Sequence, residues 1–231
     1  MTLQMPDSIY PGNLLPGYPA YLGYVDGNRP TYPELKQMFP AAYLVGLTVT
    51  GRTLDADGID VEPGNPNATE GARWAANKLA ADAASRPVMY ASLKGSPGYG
   101  MPWVLDELAA RGILREQVRL HTAHYTERAH ICSPGQCGAT FTADATQWTS
   151  SFPGYGGSLI DMSDVHDSFF VTAPQEETVT VPGMPGEWLT TPYVVRESSG
   201  RLVALGQGTS GAAYTLVMEA GTTKWTGPTR V

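Results

Sequence analysis

Between residues 20 and 92 the sequence alternates short apolar runs with amphipathic segments, and this alternation restricts the fold more than any other feature. The runs are PAYLGYVDG, AAYLVGLTVTG, GIDVEPG and RPVMYAS, most of them closed by Gly or Pro. Short, β-branched and bounded in this way, they read as strands buried on both faces. Between them, TYPELKQMF sets Leu35, Met38 and Phe39 at helical spacing. NATEGARWAANKLAADAAS is Ala-rich, carries Trp74 and Leu79 and opens on Asn and Thr, so it reads as a second helix. Strands that alternate with helices in sequence build parallel βα units.

The pattern continues with a helix in MPWVLDELAARG, stopped by Gly112, and with strands in EQVRLHTAHYT, ADATQWTS and GGSLIDMSDV. Seven strands within about 150 residues are too compressed for a full eight-stranded barrel, which more typically takes about 250. The expected architecture is therefore α/β: a reduced, irregular TIM-like β/α barrel over residues 20–168, with short or missing helices in its second half. Residues 1–19 are rich in Pro and Gly without an apolar period and read as an extended N-terminal arm. Residues 169–231 hold QEETVTVPG, TPYVVRES, GRLVALGQG and AAYTLVMEAG, short strands between Gly/Ser turns, and predict a small all-β C-terminal appendage. It contains one blade-like repeat, which alone cannot bury its own apolar faces.

A formal net charge of -7 with no cluster of Lys or Arg excludes the electrostatic footprint of a nucleic-acid or anionic-membrane partner. No apolar run approaches the roughly 18 residues that span a bilayer, and MTLQMPDSIYPG lacks the basic start and apolar core of a signal peptide. The expectation is a product of the cytoplasm without a leader. Neither a phosphate-binding loop, nor a Gly-x-Gly-x-x-Gly fingerprint, nor a Gly-x-Ser-x-Gly elbow occurs, so no cofactor and no serine nucleophile is expected.

The chemistry concentrates in acids. In GIDVEPG, Asp60 and Glu62 are two apart on a strand and project to one side, which sets two carboxyls together. At the C-terminal end of a barrel strand they would open onto the face where such folds place their active sites. Two carboxyls in different protonation states are what cleavage of a glycosidic bond requires. Asp26 in YVDG and Asp161 in LIDMS end strands similarly, although Asp before Gly is also an ordinary turn residue.

The series YVDG, TYPELKQMFP, GIDVEPG, RPVMYAS, AHYT, DATQW and IDMS resembles, in order and over about 150 residues, the glycoside hydrolase-like domains of bacteria and their phages related to family-25 lysozymes. The resemblance implies an irregular β/α barrel acting on or binding cell-wall glycan, the peptidoglycan. It implies Glu62 as general acid, Asp60 as its assisting neighbour, and Asp26 and Asp161 as the acids of the first and last strands. Tyr90, Tyr125, Gln147 and Trp148 match positions that line the sugar site, and flat rings with a polar edge suit sugar faces. The chain departs from that family in showing YVDGNRP where its lysozymes carry an Asp, an apolar residue and Ser, and in continuing past the last strand. The alternative is a non-catalytic virion structural protein of the tail or head that retains the barrel. It would meet virion proteins or its own copies through the arm and the appendage, and on either reading the resemblance implies a phage-encoded product made in the host cytoplasm and then carried on the virion or released to act at the cell wall.

Cys132 and Cys137 lie in a Pro/Gly loop, close enough for a local disulfide and equally compatible with two thiols. His121 and His124 are three apart in a strand and point to opposite faces. His130 with Cys132 and Cys137 lacks an evident fourth ligand, so no metal is expected.

Overall fold

The computed structural model describes residues 2–170 and, beyond them, the four strands Tyr193–Arg196, Leu202–Gln207, Ala213–Met218 and Thr226–Arg230. The chain divides into two compact units, Met1–Ala173 and Pro174–Val231.

The first unit is a closed barrel of eight strands in sequence order: β1 (Thr2–Asp7), β2 (Ala20–Tyr24), β3 (Tyr43–Thr48), β4 (Gly58–Asp60), β5 (Val88–Ser92), β6 (Arg119–Ala123), β7 (Ala145–Pro153) and β8 (Leu159–His166). Strands β1 to β7 pair in parallel, whereas β8 runs antiparallel to both β7 and β1. The helices are few: α1 (Tyr32–Met38), α2 (Ala68–Ala81), α3 (Met101–Ala110) and the single turn α4 (Pro134–Cys137). The barrel is thus reduced as expected, with its full helices in the first half.

The segment read as an extended N-terminal arm is corrected by β1. Thr2 to Asp7 pair residue by residue with His166 to Asp161 and so close the barrel. Pro6 removes a ladder donor and hides the strand from a reading of local pattern. Pairing of β1 with β2 is confined to Asp7 opposite Leu22. This segment is therefore an integral stave of the barrel, not an element free for assembly.

Alternation along the strands sorts side chains into two environments. Leu22, Val88, Tyr90, Ala145 and Val165 fill the interior with Met5 and Phe169. Their neighbours Ile59, Met89 and Leu120 face outward onto Ala72 and Trp74 of α2 and Val104 and Leu108 of α3. Helix α2 begins at a capping box, in which the Asn67 side chain accepts from the Glu70 N–H and the Glu70 carboxylate from the Asn67 N–H, both at 3.0 Å. A third apolar cluster, with Leu14, Tyr21, Leu35, Ile160 and Met162, covers the opposite flank.

The floor of the barrel is closed by Arg119. Its guanidinium donates to the carbonyls of Arg86 (2.6 Å) and Phe169 (3.0 Å) and lies over the Phe169 ring. Above it, His121 Nε2 meets Ser163 Oγ at 2.9 Å, and burial lowers this imidazole to about 3, so it is neutral.

Glycine is required inside the barrel at Gly58, where a Cβ would come within 2.5 Å of both the Val88 carbonyl oxygen and its Cβ. The close β4–β5 approach there depends on the missing side chain.

In the second unit, the four described strands β9 to β12, in the order given above, form an antiparallel sheet ordered β12-β11-β10-β9. This gives the all-β appendage its architecture. The stretch QEETVTVPG, read as a further strand, lies outside the described residues.

Candidate active site

Carboxyls gather at the mouth formed by the C-terminal ends of the parallel strands. Asp7 ends β1 and Asp60 ends β4, while Glu62 follows two residues later on the same side, because Ile59 and Val61 between them face the outer core. Asp161 reaches the same mouth from the opposite chain direction. Strand β8 is antiparallel, so its beginning lies beside the ends of the others, and Asp161 sits directly opposite Asp7.

The four acids perturb one another. Burial raises Asp7 well above the usual carboxylate range, helped by the charge of Asp161, a hydrogen bond shared with it, and the charges of Asp60 and Glu62. Burial and the Glu62 charge raise Asp60 to about 7, against a hydrogen bond from Asn65 that favours its anion. Glu62 is raised by burial and by Asp161. Asp161 is raised by burial, while hydrogen bonds from Asp7 and Gln147 favour its charged form. The two titrate as a pair that holds a proton tightly, with Asp7 the more strongly raised of the two.

Tyrosines and an amide complete the wall. Tyr90 Oη donates to Gln147 Oε1 at 2.6 Å, and Gln147 Nε2 donates to Tyr125 Oη at 3.2 Å. Burial and the neighbouring acids raise Tyr24 and Tyr90 well above the ordinary phenol range, and burial brings Tyr125 to about 12, so all three stay protonated. Tyr90 and Gln147 are buried, whereas Tyr125 projects from the rim.

A cleft of about 230 Å³ at this mouth is lined by Tyr24, Asp26, Arg29, Asp60 and Asn65. It shares Val49 and Asn65 with an adjoining groove of about 390 Å³ bordered by Arg52, Glu70, Arg73 and Trp74.

Of the residues expected at the site, the structure brings together Asp60, Glu62, Asp161, Tyr90, Tyr125 and Gln147. Two take other places. Asp26 lines the cleft, but its oxygens are engaged by Thr48 Oγ1 and Thr50 Oγ1, each at 2.5 Å, and by the Val49 N–H at 2.8 Å. Burial opposes its charge, yet these donors prevail and hold the carboxyl below its usual range. It fastens the β2 and β3 loops. Trp148 lies on the outer face of β7 among Leu14, Tyr21 and Ile160, because Gln147 takes the inward position and strand neighbours alternate.

Asp7 was not found by sequence reasoning. The available signal was the alternation of Leu3 and Met5 with Thr2 and Gln4 immediately before Asp7.

Cys132 and Cys137 are both free thiols, the second of the two alternatives that their spacing allowed. They lie with His124 and His130 in the loop that connects β6 to β7, outside the barrel interior.

No family model and no curated protein matches this chain. Among solved structures, a virulence factor of Streptococcus pneumoniae described as a glycosyl hydrolase 25 is similar at 13% identity and a TM-score of 0.45, over 71% of this chain and 87% of that one. The CTP1L endolysin is similar at 13% identity and a TM-score of 0.41, over 72% of this chain and 67% of its own.

Proposed function

We propose that this protein is a glycoside hydrolase-like barrel, related to family-25 lysozymes, that acts on peptidoglycan glycan. The observation that carries the reading is the meeting of Asp7, Asp60, Glu62 and Asp161, from the ends of three strands, at a single mouth where burial raises the proton affinity of all four and the charges of Asp60, Glu62 and Asp161 raise others of the group further. Glycoside hydrolysis needs one protonated carboxyl to deliver a proton to the leaving oxygen and one carboxylate to face the oxocarbenium-like centre or to activate the attacking group.

Glu62 suits the general acid. It is raised by its surroundings, yet less enclosed than Asp7 or Asp60, so it can reach a bound sugar. Asp161, raised by burial but accepting hydrogen bonds from Asp7 and Gln147 that favour its anion, suits the carboxylate that faces the developing positive charge. Glu62 in turn raises the proton affinity of Asp60, which lies on the more buried side of the pair. The Tyr90–Gln147–Tyr125 chain presents fixed donors and an aromatic rim to sugar hydroxyls. The adjoining groove beyond Asn65 gives a polymeric substrate room to continue past the acids.

Reducing-sugar release from purified peptidoglycan tests the reading. Wild-type protein should release sugar and Glu62→Gln should lose at least about a hundredfold in rate, with its fold intact by circular dichroism. A folded wild-type protein that neither cleaves nor binds peptidoglycan would refute it.

A further inference from the structure

The loop over residues 124–144 connects β6 to β7 with only the single turn α4 in it, long for a connection inside a compact domain. Four of its side chains, which the glycan site does not use, converge on one point. One ligand atom from each of His124, His130, Cys132 and Cys137 lies within 4.8 Å of all the others. His124 Nδ1 is 3.1 Å from His130 Nε2, and Cys132 Sγ is 3.3 Å from His124 Nδ1 and 3.5 Å from His130 Nε2.

These separations match the edges of a metal tetrahedron. With zinc–nitrogen and zinc–sulfur bonds of about 2.0–2.1 and 2.3 Å, two nitrogens stand about 3.3 Å apart and a nitrogen and a sulfur about 3.6 Å apart. The ligand that the sequence left unidentified is His124, which turns outward one residue after β6 ends. With it included, the chain reads His-x5-His followed by Cys-x4-Cys, both within the ligand spacings of structural zinc sites. The neighbouring groups fit as well. His130 Nδ1 lies 2.7 Å from the Arg128 carbonyl, so that nitrogen carries the proton and Nε2 turns a free lone pair to the cluster. The Cys132 N–H is held by Thr146 Oγ1 at 2.9 Å, which fixes the buried sulfur against β7.

We infer that His124, His130, Cys132 and Cys137 form a tetrahedral site for a thiophilic divalent cation, foremost zinc, that pins the β6–β7 loop to the barrel. Two sulfurs and two imidazoles without a carboxylate select zinc over magnesium or calcium. All four positions are filled by the protein, so the ion is structural and leaves no place for a reacting water. Because Tyr125 follows His124 directly, the ion also fixes the base of the rim residue that meets Gln147. The inference is independent of the glycan reading.

The test uses the full chain, reduced and stripped of metal, titrated with Co²⁺ and then Zn²⁺. Binding of one Co²⁺ per chain, with the visible bands of a tetrahedral ion and a thiolate-to-cobalt charge-transfer band, is expected, followed by displacement by Zn²⁺. Cys137→Ser and His130→Ala should each weaken binding by more than the roughly 10- to 100-fold typical of losing a group that only hydrogen-bonds to a metal ligand. His166→Gln, a histidine outside the cluster, should bind as wild type. Zn²⁺ should also protect both cysteines of the wild-type protein from alkylation, a readout that does not depend on the variants folding. Absence of the charge-transfer band, alkylation unaffected by Zn²⁺, or full binding by folded Cys137→Ser would each overturn the site.

Discussion

Asp7 and Asp161 face each other across the β1–β8 pair and share one hydrogen bond, so two carboxyls from opposite ends of the barrel segment behave as a single acid with one tightly held proton. Replacing Asp7 by Asn removes a buried group that resists ionisation and keeps a donor toward Asp161. Thermal unfolding at pH 7 to 8 should therefore show Asp7→Asn as stable as wild type or more so, while sugar release falls at least about tenfold. Loss of stability together with activity would instead mark Asp7 as a framework residue.

Asp60 gives a pH signature. Its folded-state affinity, near pH 7, lies above that of an unfolded aspartate near 3.9, so between those values the folded chain binds more protons than the unfolded one. Its contribution to stability is present at low pH and is lost as pH rises toward 7. The stability gain of Asp60→Asn over wild type should thus be near zero at pH 4 and should grow to a few kcal/mol by pH 8. Denaturant unfolding at intervals of one pH unit measures it, and a gain that shrinks with rising pH contradicts the assignment.

Asp26 and Trp148 separate framework from site. Asp26→Ala abandons three donors at once and should cost about 1–3 kcal/mol in denaturant unfolding. Trp148→Leu thins an outer cluster. It should lower the unfolding midpoint while leaving the affinity of the folded protein for peptidoglycan unchanged, as a pull-down with insoluble sacculi would show.

Gly58→Ala inserts a methyl group against the Val88 carbonyl, inside the barrel and two residues before Asp60. It should destabilise the barrel by about 1–3 kcal/mol, measured by denaturant unfolding, and should disturb the acid cluster more than an equal destabilisation placed at the helices.

Much of this barrel was legible because its strands are short apolar runs, several with Gly or Pro after them, and seven of the eight can be read from the sequence. β1 was not, since Pro6 interrupts it and its pairing lies almost wholly with a strand at the far end of the barrel segment. The Asp60–Glu62 relation followed from the two-residue period alone. The same period, applied to Gln147 and Trp148, would have shown that adjacent strand residues cannot both line one pocket. Asp26 illustrates the converse: a strand-end acid before Gly is first a turn residue, and only its three donors reveal which role it has taken. The fourth member of the His/Cys cluster escaped because His124 was weighed only against His121, which does lie on the opposite, inward face, and not against His130 and the two cysteines.

The reversed direction of β8 has a consequence for how this molecule tolerates rearrangement. The register that sets Asp7 against Asp161 also sets Thr2 against His166, so the barrel segment is entered and left at adjacent points on the floor, the far side from the carboxyls. A short linker could join these two points and new ends could be opened in a surface loop elsewhere, as in a circular permutant, with every stave and the acidic mouth preserved.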